Sequence, residues 1–137
     1  MDRLYIVGRA DLAPGLRAAQ AGHAIAAFAL EHPHLMERWG NSYLILLETE
    51  DLPSLNRFLT HTKLAGLTTS TWSEPDLDNQ LTAIAVAPSE ASKLLCAGLP
   101  LMHSSCPHSS MVRAAVSKTE DEGPIPSAGS TPTAEEA

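Results

Sequence analysis

The chain has 137 residues, of which 44% are hydrophobic and 18% are charged, and its formal net charge at pH 7 is -7. This length predicts one domain with room for a tail. The acidic balance argues against nucleic-acid binding through charge alone, because domains that bind in that way are usually strongly basic. No run of residues approaches the ~18 apolar residues of a membrane span. The N-terminus also lacks the basic start and apolar core of a secretion signal, so we expect a cytoplasmic protein.

The first third of the chain predicts one strand and two helices. Residues 3–8, RLYIVG, are apolar and β-prone, as expected of a buried strand. The alanine-rich residues 16–30 favour a helix. Pro33 ends that helix, because proline cannot continue it and disfavours helix at the preceding residue. A short second helix is predicted over residues 33–39.

The next sixty residues predict three more strands and two more helices. The first of these helices has clear ends: Thr49 or Asp51 can cap its start, Pro53 suits its first turn and Gly66 suits its C-terminal end. The order β-α-α-β-α-β-β-α predicts an α/β domain with a small mixed sheet covered by helices. The remaining predicted strands span residues 42–48, 67–74 and 81–88, and the last helix spans residues 89–99, with Ser89 as its cap.

From residue 103 onward the sequence is rich in Ser, Pro, Thr and Gly and nearly lacks large apolar residues. Such a segment cannot bury enough surface to offset the entropy of ordering. We therefore predict a folded domain over residues 1–102 and a disordered tail over residues 103–137. Residues 112–131 also resemble the in-frame translation of the 3′ half of a bacterial tRNA gene, and an ordinary polar tail is the equally open alternative.

Two cysteines, Cys96 and Cys106, are too few for a disulfide framework or a structural zinc site, which typically takes four Cys or His ligands. We expect Cys96 to be a small core residue. No local spacing matches a metal motif, a phosphate-binding loop or a nucleophile elbow. The sequence therefore predicts no metal site.

Several polar residues are predicted to meet near one end of the sheet. Each also has a purely structural explanation. A histidine on an alanine-rich helix is more often a core residue than a catalytic base, and loop acids often only form turns. The set comprises Arg9 and Asp11 after the first strand, Gln20 and His23 on one face of the long helix, Glu74, Asp76 and Asp78 after the third strand, and Thr82 in the fourth.

The segments VGRADL, PGLRAAQAGHA, HTKLAGL and EPDLDNQLTAIAVAP follow one another within the first hundred residues. With them the chain resembles the type 2 peptidyl-tRNA hydrolases, most closely their short bacterial and phage branch. The resemblance implies a four-stranded mixed sheet with helices on both faces, which is a three-layer sandwich. It also implies hydrolysis of the ester between a peptide and the 3′ ribose of tRNA, with no metal or cofactor. Peptidyl-tRNA is thus the implied partner, and a homodimer is left open because related proteins often pair.

The resemblance implies roles for individual residues. Asp76 would orient or deprotonate a water molecule, and Gln20, Thr82 and Arg9 would hydrogen-bond the substrate carbonyl or the developing oxyanion. His23, Asp11 and Glu74 would support them, with the His23 ring fixing its helix against a strand. Which of Glu74, Asp76 and Asp78 faces the site is left open. Arg17, Arg57 and Lys63 would contact tRNA phosphates, and so few cations predict weak, salt-sensitive binding.

Leu16 departs from the family pattern, because family members commonly carry an active-site lysine at this position. Two alternatives to the hydrolase therefore stay open. One is a non-catalytic member of the same fold that binds tRNA or a protein. The other is a small metabolic or interaction domain with no role on RNA, which the acidic net charge favours.

Overall fold

In the computed structural model, which describes residues 2–103, four strands and four helices make up the regular structure. The strands are β1 (Arg3–Arg9), β2 (Tyr43–Thr49), β3 (Thr69–Glu74) and β4 (Gln80–Val86). The helices are α1 (Pro14–Glu31), α2 (Pro33–Trp39), α3 (Leu52–Leu64) and α4 (Glu90–Cys96). The predicted α/β class and the predicted order of elements are both confirmed.

The four strands form one mixed sheet in the order β2-β1-β4-β3. β1 runs parallel to β2 and antiparallel to β4, and β3 runs antiparallel to β4. The C-terminal ends of β1, β2 and β3 therefore lie beside the start of β4. We call this the carboxyl edge of the sheet, and it carries Arg9, Thr49, Glu74 and Gln80.

Helices cover both faces of the sheet. Successive strand residues point to opposite faces, so that the core divides into two clusters. Leu4 and Ile6 of β1 pack with Phe28 of α1. Val7 of β1 packs with Leu55 of α3 on the other face. Trp39 adds α2 to the first cluster and Cys96 adds α4 to the second, which gives the three-layer arrangement.

Local sequence signals set the ends of the helices. The Asp51 carboxylate caps α3 by accepting from the Ser54 backbone N–H at 3.0 Å, so Asp51 is the cap and Thr49 is not. Gly66 follows α3 with a left-handed φ of 74°. Ser89 caps α4 as predicted. Cys96 at the end of α4 is buried, and this burial raises the pKa of its thiol to about 12.

One residue of β4 has no partner on β3. Trp72 pairs with Ala83 and Ser73 pairs with Leu81, so Thr82 is an extra residue between them. Such a β-bulge breaks the strict alternation of side chains. By alternation from Ile84, Thr82 would face α3, but Leu81 is the residue that packs into the α3-side cluster. The bulge thus leaves Thr82 free to face α1, on the same side as Ala83.

The chain divides into a compact unit, Met1–Met102, and the residues from His103 onward. The predicted disordered tail and its resemblance to a tRNA gene product lie, apart from His103, outside the described residues. Within the compact unit, residues 100–102 run along the outer edge of β2, where Leu101 bridges to Leu47. None of the helices within residues 2–103 has the length and apolar character that crossing a bilayer would need.

Candidate active site

Two hydrogen bonds join α1, β4 and β3 at the carboxyl edge. The Thr82 hydroxyl donates to Gln20 Oε1 at 2.7 Å, and Gln20 Nε2 donates to Glu74 Oε1 at 2.9 Å. The hydroxyl also lies 3.2 Å from the Trp72 carbonyl oxygen. Because the amide oxygen accepts from Thr82 while the amide nitrogen donates to Glu74, the orientation of Gln20 is fixed at both ends. We call Thr82, Gln20 and Glu74 the Gln20 triplet.

Local structure explains why these three side chains meet. Gln20 lies on the buried stripe of α1, whose members recur three or four residues apart. The bulge in β4 lets the Thr82 side chain face that stripe. Glu74 ends β3 and shares a sheet face with Trp72, two residues earlier, and Trp72 packs against the α1-side cluster.

The three members of the triplet differ in how far solvent reaches them. Gln20 is 2% exposed and Thr82 is fully buried, while Glu74 is half-buried. A buried amide or hydroxyl is costly unless it is hydrogen-bonded, and the two bonds of the triplet meet that need. Gln20 and Thr82 were predicted to hydrogen-bond the substrate, but their burial places them behind Glu74, which is the member that solvent reaches.

Hydrogen bonds hold Glu74 in its ionised form. The bond from Gln20 contributes most to a lowered pKa of Glu74, followed by the backbone N–H of Asp76, which lies 3.3 Å from Glu74 Oε2. Partial burial acts in the opposite direction and does not reverse the shift. The indole N–H of Trp72 also lowers this pKa, although it falls short of hydrogen-bond geometry. Glu74 is therefore a carboxylate at neutral pH.

Asp76 was predicted to orient or deprotonate the water, but the acid that the structure brings into contact with Gln20 is Glu74. Asp76 lies in the 3-10 turn Pro75–Leu77, is exposed, and contributes its backbone N–H to Glu74. Asp78 ends that turn in a left-handed conformation and is also exposed. Among these three acids, Glu74 makes the hydrogen bond to Gln20.

His23 contacts the same region of β3 from α1. Its ring stacks on the Trp72 indole with the ring centroids 4.4 Å apart and an angle of 15° between the planes. His23 is exposed, so its interpretation as a core histidine is wrong. The stack lies close enough to Glu74 to act on its pKa, and it holds the middle of α1 against β3.

Arg9 is almost fully buried at the carboxyl edge and donates four hydrogen bonds. Its Nε and Nη2 bind the two Asp11 carboxylate oxygens at 3.0 and 2.8 Å. Its Nη1 binds Gln80 Oε1 at 2.9 Å and the Leu81 carbonyl oxygen at 3.1 Å. The bonds from Arg9 contribute most to a lowered pKa of Asp11. Four of its five N–H groups thus donate within the protein, so the predicted bond to a substrate oxyanion would have to come from the second N–H of Nη2.

Arg17 forms a buried ion pair with Glu48 of β2, with Nη1 and Oε1 2.9 Å apart. Arg17 is only 4% exposed, and its predicted contact with tRNA phosphates is not compatible with this burial. Arg57 and Lys63, the other two predicted phosphate contacts, are exposed on α3. The Arg57 guanidinium donates to Ser54 Oγ at 3.0 Å.

The chain matches no known family model and none of the curated protein sequences. Among solved structures it is similar to a protein of unknown function from Agrobacterium tumefaciens strain C58, with a TM-score of 0.56 and 15% sequence identity. The match covers 73% of this chain and 96% of that chain. At this identity the likeness shows the fold alone. Within residues 2–103 no group of three or more His, Cys, Asp or Glu side chains could hold a metal ion.

Proposed function

We propose that this protein hydrolyses the ester bond between a peptide and the 3′ ribose of tRNA. The Gln20 triplet carries the proposal, because its members come from α1, β3 and β4 and meet in one hydrogen-bonded unit. Gln20 and Thr82 are positions that match the type 2 peptidyl-tRNA hydrolases, and the family's loop acid matches Glu74 or Asp76. The α/β fold with helices on both faces of a mixed sheet is also the fold that this resemblance implies.

In this proposal Glu74 is the catalytic residue. Its carboxylate is ionised and half-buried, and it is held by N–H groups from Gln20 and Asp76. The carboxylate accepts a hydrogen bond from a water molecule, whose oxygen attacks the ester carbonyl carbon. The ester C–O bond then breaks, and a proton passes to the departing 3′ oxygen. Because a lowered pKa makes Glu74 a weak base, its main contribution is orientation of the water.

Gln20 and Thr82 act as positioning residues behind Glu74. Arg57 and Lys63 on α3 are the exposed cations that contact tRNA phosphates. The setting is the cytoplasm, since ribosomes release peptidyl-tRNA there. Tyr43 and Leu44 support pairing of two copies, because they are 48% and 42% exposed on the edge strand β2.

The test is release of peptide from N-acyl-aminoacyl-tRNA without added metal. We expect Glu74→Gln to lower kcat by about 100-fold, within the range of ~10²–10⁴ for a lost acid–base group. The matched control is Asp76→Asn, a charge removal two residues away, which should stay within about twofold of the unchanged protein. The reverse pattern would transfer the role to Asp76, and normal turnover in both variants would refute the site.

The positioning role of Thr82 has a separate test. Thr82→Val removes the hydroxyl at nearly constant volume and should lower kcat by about tenfold, with KM little changed, because Gln20 loses its fixed orientation. Thr82→Ser restores the hydroxyl and should restore kcat. Loss in both variants would point to a packing defect instead.

The second candidate function is binding without catalysis. Leu16, at the position of the family's active-site lysine, favours it, as does the burial of Gln20 and Thr82. Binding of tRNA with no release of peptide would establish this candidate. Neither binding nor release would instead favour a domain with no role on RNA.

A further inference from the structure

β1 and β2 are neighbouring parallel strands whose following helices lie on opposite faces of the sheet. The chain passes from β1 to α1, which packs on one face, whereas it passes from β2 to α3 on the other. In open α/β sheets a crevice forms where such connections diverge, at the carboxyl ends of the two strands, and ligands preferentially bind there. The fold therefore marks a second location at the carboxyl edge, away from the Gln20 triplet.

The structure has a cleft at this location. Its volume is about 400 Å³, and it is lined by Ala10 after β1, by Thr49 and Glu50 at the end of β2, and by one side of α3. This volume lies within the range of roughly 300–1,000 Å³ that is usual for small-ligand sites. The Ala10 N–H donates to the Thr49 carbonyl at 2.7 Å, which ties the two strand ends together at the cleft.

Side chains of α3 supply hydrogen-bond donors to the cleft. Ser54, Arg57 and His61 line it at a spacing of three and four residues, which places them on one side of the helix. The Arg57 guanidinium is oriented by its bond to Ser54 Oγ and retains further N–H donors. Planar guanidinium groups match the oxygens of phosphate well. Phe58 and Leu99 give the same cleft an apolar wall.

Two acidic residues also line the cleft, but Glu48 directs its carboxylate to Arg17 of α1, on the opposite face of the sheet from α3. The Glu48 carboxylate forms the buried ion pair with Arg17 at 2.9 Å. Glu50 is exposed and lines the cleft together with Arg57. Arg57 should therefore attract an anionic ligand, and Glu50 should weaken its binding.

We propose that this crevice binds a nucleotide, with its phosphate on Arg57, Ser54 and His61 and its base or ribose against Phe58 and Leu99. The phosphate can belong to a free nucleotide or to an RNA strand. β2 and β3 are three strand spacings apart, roughly 14 Å, so a ligand here is distinct from one at Glu74. The site does not depend on ester hydrolysis.

The test is a titration of the full chain with adenosine 5′-monophosphate, in which binding is measured by calorimetry and by changes in amide NMR chemical shifts. We expect shifts at Ser54, Arg57 and His61, and weaker binding of adenosine, which lacks the phosphate. Arg57→Gln should weaken binding about tenfold, because it removes a charged hydrogen-bond donor. Glu50→Gln should strengthen it about threefold. Arg38→Gln removes an exposed cation of α2 that does not line the cleft, and it should change binding less than twofold.

A short RNA oligonucleotide that binds with the same dependence on Arg57, when the mononucleotide does not, would assign the phosphate to RNA. Binding of neither probe, binding unaffected by Arg57→Gln, or strengthening by Arg57→Gln would overturn the proposal. The Glu74→Gln variant separates this site from the proposed activity, because it should lose hydrolysis and keep nucleotide binding.

Discussion

At the scale of single residues, Gln20 shows why an amide occupies the buried face of an alanine-rich helix. It must accept a hydrogen bond from Thr82 and donate one to Glu74 at the same time. A leucine would remove this acceptor and leave the buried Thr82 hydroxyl with only the Trp72 carbonyl oxygen, at 3.2 Å. A glutamate would set two carboxylates against each other. An amide is the side chain that satisfies both neighbours.

The lowered pKa of Glu74 makes its contribution to stability depend on pH. The folded state favours the carboxylate, so this contribution is fully present above the ordinary glutamate pKa of 4.5 and is lost as the pH falls through the lowered pKa of the folded state. We expect Glu74→Gln to lower the melting temperature at pH 7, and the gap to the unchanged protein to narrow as the pH falls below 4.5. Thermal unfolding of both proteins from neutral to acidic pH measures the effect. A gap of constant size over the same range would contradict it.

At the scale of elements, local signals were sufficient to predict the fold. Pro33 begins α2, Asp51 and Ser89 cap α3 and α4, and Gly66 follows α3, each through its own backbone or side-chain chemistry. These signals act within a few residues along the chain. The ends of these helices can therefore be predicted from the local sequence alone.

The site could be predicted only in part. The convergence of α1, β3 and β4 followed from the order of the elements, but the bulge at Thr82 leaves no mark in the alternation of apolar residues. The choice of Glu74 over Asp76 depends on where the 3-10 turn directs each acid. The burial of Arg17 could have been predicted, because Arg17 precedes Ala21 by one helical turn and therefore lies on the same buried stripe of α1.

The Arg17–Glu48 ion pair is the polar contact between α1 and β2, and its removal should be costly. Glu48→Gln leaves a buried guanidinium without its carboxylate partner, and we expect a loss of about 3–5 kcal/mol in the free energy of unfolding. The double variant Arg17→Met, Glu48→Leu should lose less than the sum of the two single changes. Urea denaturation of the four proteins measures the coupling. Additive losses would contradict it.

At the scale of the whole molecule, charge limits how the protein could hold the RNA substrate that we propose. The full chain carries a net charge of -7. Of the four cations predicted near the substrate, Arg9 and Arg17 are buried in ion pairs, whereas Arg57 and Lys63 are exposed. Long-range attraction of a polyanion is therefore weak, and contact depends on a small area of α3.

Binding of tRNA should accordingly respond only moderately to salt. Two phosphate contacts to a single strand predict a slope of about -1.4 for log K against log salt concentration, at ~0.7 per contact. Fluorescence anisotropy with labelled tRNA over a series of salt concentrations measures it. Lys63→Gln should reduce the slope by about 0.7. A slope steeper than about -4 would mean that the surface in contact is much larger than α3.

The bulge in β4 also suggests how the Gln20 triplet could be gained or lost by insertion or deletion of one residue. Leu81 already stands opposite Ser73, and Ala83 opposite Trp72, as they would in an uninterrupted ladder. Deleting the single residue between them would leave every remaining side chain of the strand on its present face. The pairing of β4 with β3 does not require Thr82, whereas the hydrogen bond to Gln20 of α1 does. Two chains of this architecture can thus differ by a single residue, with the hydrogen bond to Gln20 present in one and missing from the otherwise unchanged sheet of the other.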